Sequence, residues 1–296
     1  MLADLEADGR LRGLDRPLGP ESRDLVLGQR TVRIAGLAAP LAADLGRRWG
    51  PFLGASAAGQ ASSLVLRVYE AGPGPWLEPP VPGAAYRLEA RNEPGRRIVV
   101  SHHFALARDA DPGAWRLGVT ATRDEPLPRI LENATRFLAA RLALDDGGFA
   151  LHAAAVLHDG EAHLFAGPSG AGKTTAVRLA RPARSLGDDF AMVVPVRGRW
   201  MAPALPFDNS ERIAPDALRG MFPVSGIWRL AQAGETRVER FPASVAIASL
   251  LGCAAFPWAL PEAAEALLAH VTRYVAEGRF GRFHFALDAD PWRHLA

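Results

Sequence analysis

Eight consecutive residues, Gly167-Pro168-Ser169-Gly170-Ala171-Gly172-Lys173-Thr174, satisfy G-x-x-x-x-G-K-[ST], a spacing whose chemistry is the binding of a nucleoside triphosphate. Backbone N–H groups in such a loop converge on the phosphate oxygens. The glycines let the backbone take left-handed angles and approach the anion without a Cβ in the way. In this reading the Lys173 ammonium reaches the β- and γ-phosphates, the Thr174 hydroxyl serves Mg²⁺, and Thr175 ends the nucleotide-binding run. Lys173 is the only lysine in the 296 residues. A chain that otherwise uses arginine keeps one compact ammonium where a planar guanidinium does not substitute.

A second reactive group is Asp188-Asp189, fifteen residues beyond Lys173. Phosphoryl transfer needs one carboxylate for Mg²⁺ and often a second near the attacking hydroxyl. Neighbouring aspartates in a loop can divide those roles because successive side chains diverge, and the residues alone leave open which does which. The spacing is short, since large P-loop NTPases place their metal-associated carboxylate much further along the chain.

These groups need elements to hold them. Residues 162–166 form an apolar run that predicts a strand into the loop, and residues 176–180 continue it as a helix. Residues 151–158 and 161–166 predict two strands joined at Asp159-Gly160, and residues 185–196 an apolar strand opened by the acidic pair. Residues 199–205 predict its hairpin partner, 206–212 a loop, 227–231 a strand, 245–255 and 262–277 helices, and 282–288 a closing strand. Upstream, residues 126–143 carry an apolar stripe at helical spacing that stops at Asp145-Asp146-Gly147-Gly148. That stop gives the expected boundary between an N-terminal domain (1–146) and a C-terminal one (147–296). The N-terminal part predicts a loosely held start up to about residue 30, strands at 31–35 and 63–69, and a helix through Leu41, Leu45, Trp49 and Phe52. A long Gly/Pro loop over 72–83 and a meander of strands at 86–90, 97–102 and 115–120 follow, read as an antiparallel sheet. The expected fold class is an α/β P-loop kinase-like C-terminal domain preceded by an α+β domain rich in antiparallel strands.

Composition narrows the function classes. Apolar residues make up 49% and charged ones 22% of the chain, a globular balance. The net charge of +2 and the lack of a Lys/Arg cluster interleaved with aromatics argue against a nucleic-acid partner. The start is too acidic for a signal peptide, and the most apolar stretch, 245–260, is interrupted by Gly252 and Pro257, reads as a buried helix and falls short of a membrane span. The single cysteine, Cys253, excludes a disulfide framework and reads as a small buried hydrophobe, so the expected location is cytoplasmic. The histidines show no ligand spacing for zinc.

The segments Leu-His-Ala-Ala-Ala-Val (151–156), Gly-Pro-Ser-Gly-Ala-Gly-Lys-Thr-Thr (167–175) and Leu-Gly-Asp-Asp (186–189) resemble the catalytic domain of HPr kinase/phosphorylase and HPr-kinase-like proteins. The last two are also similar to the nucleotide core of ATP-dependent phosphoenolpyruvate carboxykinase, although this chain is much shorter. The resemblance covers roughly residues 148–275. It implies a kinase that uses ATP and Mg²⁺ to phosphorylate a serine hydroxyl on a peptide or protein. It also implies that Lys173 and the loop hold the phosphates, that Thr174 and Asp188 serve the metal, and that Asp189 is the base or orienter for the acceptor. His152 matches the family's histidine ahead of the loop and is expected beside Asp189. The family's second glycine-containing signature is absent; residues 206–212 occupy its place and offer Asp208, Glu211 and Arg212. HPr-kinase-like proteins also resemble kinases of small peptides and of free serine, so a small-molecule kinase and a non-catalytic ATP-binding regulator are the alternative readings. Self-association into a homo-oligomer is left open.

Overall fold

The structure, a computed structural model, describes residues 16–54, 64–71, 76–78, 87–93, 96–109, 111, 113–120, 125–168, 170–179, 184–207, 218–256, 263–286 and 292–295. The chain is mixed α/β with most strands in two sheets, and it divides into two compact units at Thr135/Arg136.

In the first unit a seven-stranded sheet runs in the order β1-β2-β3-β7-β6-β5-β4. Its strands are β1 (Glu21–Leu27), β2 (Arg30–Leu37), β3 (Leu64–Glu70), β4 (Glu89–Glu93), β5 (Arg96–Val100), β6 (Phe104–Arg108) and β7 (Ala114–Val119). β1 corrects the expectation of a loose start, because Leu25 and Leu27 alternate into the core despite charged neighbours. Residues 1–15 lie outside the described residues. Helix α1 (Ala39–Trp49) carries Pro40 in its first turn, where the missing N–H costs nothing, and buries Leu41, Leu45 and Trp49. It carries the chain across the sheet, so β3 pairs with β2 in parallel. β3 also pairs with β7 in parallel. The expected antiparallel meander therefore holds only for β4 to β7. Within the loop expected over 72–83, Trp76 is buried with Ile98, Val100, Ala105 and Ala107; residues 72–75 and 79–83 lie outside the described residues.

Helix α2 (Leu127–Asp145) buries the predicted stripe at Ile130, Leu131, Ala134, Phe137, Leu138 and Leu142. The units divide inside this helix, not at the Gly147-Gly148 pair that marks its end.

The second unit follows the order β11-β9-β10-β14-β13-β12-β8. These are β8 (Phe149–Leu151), β9 (Ala153–His158), β10 (Glu161–Ala166), β11 (Arg184–Gly187), β12 (Ala191–Val196), β13 (Arg199–Pro203) and β14 (Met221–Gln232). β14 also pairs with β16 (Phe280–Phe285), whose other neighbour is β15 (Arg237–Arg240). β10, β14 and β16 are parallel, and β10 is buried from Ala162 to Ala166, as a strand covered on both faces must be. Helix α3 (Lys173–Leu179) packs Ala176 beside Phe165, Leu230 and Phe285. α4 (Ala243–Leu251), α5 (Ala264–Glu277) and α6 (Trp292–Leu295) complete the unit. α4 stops at Gly252, and Ala254 bridges to Leu151, so the single buried helix expected over 245–260 is shorter. The strand expected over 151–158 is broken at His152 into β8 and β9, which pair with different partners. No helix among the described residues is long and apolar enough to cross a membrane.

His163, 5% exposed, faces Trp292 edge-on at 5.0 Å. Burial first, then the neighbouring His158 and Arg279, lower its pKa to about 4, while Glu161 and Asp159 oppose them. The neutral ring is favoured in the fold, so its contribution is whole above the ordinary pKa of 6.5 and is lost as pH falls toward about 4. Denaturant titrations should show stability falling over that window by about 3 kcal/mol, a slope that His163→Phe should flatten.

Candidate functional site

The strand-to-loop order places Lys173 directly beyond β10. Gly170 (φ +79°) and Gly172 (φ +94°) take left-handed angles, and a Cβ on Gly172 would meet the Phe285 ring at 2.7 Å. A Cβ on Gly167 would lie 2.7 Å from that of Ala171. The loop is thus folded too closely for side chains at these positions. Ala171 N–H donates to the Pro168 carbonyl at 3.1 Å. Ser169 lies outside the described residues.

Among the described residues the Lys173 ammonium has three oxygen partners. It donates to the Gly167 carbonyl at 3.0 Å and the Pro168 carbonyl at 3.3 Å, and it pairs with Asp189 Oδ1 at 3.0 Å. Three N–H donors thus meet three acceptors, and the lysine side chain is only 10% exposed.

Asp188 and Asp189 form the bend between β11 and β12. The Asp188 N–H donates to the Phe207 carbonyl at 3.2 Å, and Leu205 N–H to the Leu186 carbonyl at 2.7 Å, which ties the bend to the chain after β13. Asp189 sits at φ +67°, where aspartate is among the few non-glycine residues found repeatedly. One Asp188 carboxylate oxygen is shut off from solvent, whereas Thr174 is exposed.

His152 reaches the same place from the β8/β9 break. Its ring hydrogen-bonds the Asp189 backbone, and its own N–H donates to the Cys253 carbonyl at 2.8 Å. Burial lowers its pKa most, with the Lys173 and Arg136 charges in the same direction and Asp189 opposing, so the ring is neutral at pH 7. The sequence-predicted Lys173, Asp189 and His152 are therefore brought together, with Asp188 adjacent in the chain. Asp208, Glu211 and Arg212 lie outside the described residues.

Sequence reasoning missed three contributors. Arg229 of β14 stands in register with Ala166, the last residue before the loop. It is half-buried, has no carboxylate partner among the described residues, and donates to Cys253 Sγ. Burial pushes the Cys253 thiol up despite Arg229 and Lys173, so Arg229 is left on a neutral sulfur. Cys253 is thus more than filler in an apolar run. The third contributor is Phe256, at φ +58°, whose ring meets His152 at 6.2 Å, Phe137 at 6.0 Å and Phe190 at 6.5 Å. Phe190 meets Phe207 at 5.3 Å, and Arg136 lies over Phe207 at 5.7 Å. The charged groups thus have an aromatic floor beside them. Periodicity signals none of this; only the unusual φ of Phe256, invisible in sequence, marks it.

No curated protein matches the chain. The family model described as SynChlorMet cassette protein ScmC matches residues 129–266, a span that contains every site residue named above.

Proposed function

We propose that the chain is an ATP- and Mg²⁺-dependent kinase that transfers the γ-phosphoryl group to a serine-type hydroxyl on a peptide or protein. The observation that carries this reading is the Lys173 ammonium, held by two loop carbonyls and the Asp189 carboxylate. A nucleotide entering the loop supplies phosphate oxygens that replace that carboxylate, because a polyanion outcompetes a single carboxylate on one ammonium. Asp189, released from Lys173, then faces the acceptor and takes the hydroxyl proton as its oxygen attacks phosphorus in line with the departing ADP oxygen. His152, bonded to the Asp189 backbone, fixes the bend from which that carboxylate projects.

The donor set fits a hard cation, since the Thr174 hydroxyl and the Asp188 carboxylate are oxygen ligands. Among the described residues no three His, Cys, Asp or Glu side chains gather into a protein-only metal cage. Magnesium here would be held by Thr174, Asp188 and the nucleotide's own oxygens, and when bound it supplies charge neutralisation at the β- and γ-phosphates.

Arg229 extends the reading. A half-buried guanidinium on a neutral thiol gains by moving to a phosphate. Arg229→Gln is expected to weaken ATP binding about tenfold by calorimetry and to weaken ADP binding less.

The test is mass spectrometry of products after incubation with ATP, Mg²⁺ and the peptide fraction of the host. A gain of one phosphoryl group on a hydroxyl-bearing peptide supports the peptide kinase. Phosphorylation confined to small hydroxyl compounds moves the assignment to a small-molecule kinase, and ATP binding with no acceptor-dependent consumption refutes catalysis.

A further inference from the structure

Away from the loop, the second unit contains a cavity of about 520 Å³, within the size range of small-molecule sites. Its apolar walls include Trp228, Phe241 and Phe280, and its polar groups come from Arg240, Arg279 and His294. No carboxylate is among the described residues that line it.

Two observations point to an anion. Arg282, in the same sheet, pairs with Glu239 at 3.5 Å, but Arg240 and Arg279 have no ion-pair partner among the described residues. Two guanidinium groups that line one cavity without an acid favour an anion there. The nine-residue helix α4 starts beside the cavity at Ala243 with no side-chain cap and no acidic residue in its first turn, so its first amides lack side-chain acceptors and carry partial positive charge. The Trp228 ring belongs to the apolar wall, and its indole N–H is shut off from solvent.

Close backbone approach fixes two neighbouring rings: a Cβ at Gly226 would meet the Trp228 ring at 2.5 Å, and one at Gly278 would meet the Tyr274 ring at 2.8 Å. The cavity is also distinct from the P-loop. Gly172 abuts Phe285 at the end of β16, whereas the cavity lies at Phe280 at its start, five residues or roughly 17 Å of strand away.

We propose that this cavity is a second ligand site, for an organic anion with a flat aromatic body. The ring lies among Trp228, Phe241 and Phe280, and the phosphate or carboxylate is held by Arg240, Arg279 and the α4 amides.

The experiment titrates the full chain with 1-naphthyl phosphate, 1-naphthoate, 1-naphthol and inorganic phosphate. Calorimetry is read together with the Trp228 indole ¹H–¹⁵N resonance, identified by its loss in Trp228→Phe. Saturable binding of either naphthyl anion with a shift of that resonance is expected, and whichever binds tighter identifies the phosphate or carboxylate class. Arg240→Gln/Arg279→Gln should weaken binding at least about tenfold. These are exposed side chains, and an unchanged circular dichroism spectrum excludes unfolding as the cause. Lys173→Ala should leave the binding intact, which separates this site from the P-loop reading. Equal binding of 1-naphthol, equal binding of inorganic phosphate, loss of binding in Lys173→Ala, or an unmoved Trp228 resonance would each overturn the proposal.

Discussion

Lys173→Ala should reduce ATP-dependent phosphoryl transfer by about a thousandfold or more, with far-ultraviolet circular dichroism unchanged. The reason lies in the triple coordination of this ammonium by Gly167, Pro168 and Asp189. Its removal takes away a side chain that links the loop backbone to the acidic bend and, in the proposed mechanism, the cation that would neutralise charge on the transferring group. Of the two carbonyls it leaves, that of Pro168 belongs to an exposed residue and passes to water, whereas Gly167 is buried, so the circular dichroism spectrum is the control that separates lost chemistry from lost folding. Lys173→Arg should not rescue turnover, since a planar fork does not reproduce a compact ammonium with three diverging donors. Steady-state assays of both variants check this, and near-wild-type turnover in either would remove Lys173 from the mechanism.

The two aspartates should separate in the opposite sense from ordinary loss of binding. Asp189→Asn removes the carboxylate that competes for Lys173, so ATP should bind at least as tightly as to the wild type. Turnover should nevertheless fall about 10²- to 10⁴-fold, the range for losing a positioned base. Asp188→Asn should weaken ATP binding only when Mg²⁺ is present and should leave metal-free binding nearly unchanged. Calorimetry with and without Mg²⁺, beside single-turnover kinetics, distinguishes the two. If Asp189→Asn weakened ATP binding as much as Lys173→Ala, the ion pair between Lys173 and Asp189 would not be a competitor for phosphate.

What could be read in the sequence follows from how local each feature is. The loop from Gly167 to Thr174 and the Asp188-Asp189 pair are contiguous, and glycine placement alone requires the tight backbone that Gly172 shows against Phe285. The stripe of α2 was legible because a single helix face was buried at regular spacing. β1 was hidden because Glu21, Arg23 and Asp24 mask the alternation that Leu25 and Leu27 complete. β15, Arg-Val-Glu-Arg, has a single apolar residue and exists through its pairing with β16. The parallel pairing of β3 was not in its own residues but in the crossover through α1. Arg229 and Cys253 come together across 24 residues of sequence, a proximity that only the tertiary fold creates. His152 was legible by resemblance, but its break between two strands and its bond to the Asp189 backbone were not.

The central claim is that Lys173 and the acidic bend converge on one triphosphate. A crystal structure with Mg²⁺ and a non-hydrolysable ATP analogue tests it most directly. The account predicts the Lys173 ammonium within hydrogen-bond distance of the β- and γ-phosphate oxygens, its pairing with Asp189 broken, and Asp188 beside the metal. A γ-phosphorus more than about 10 Å from both Asp188 and Asp189, beyond any metal-bridged contact, would contradict it and leave a nucleotide holder without transfer chemistry.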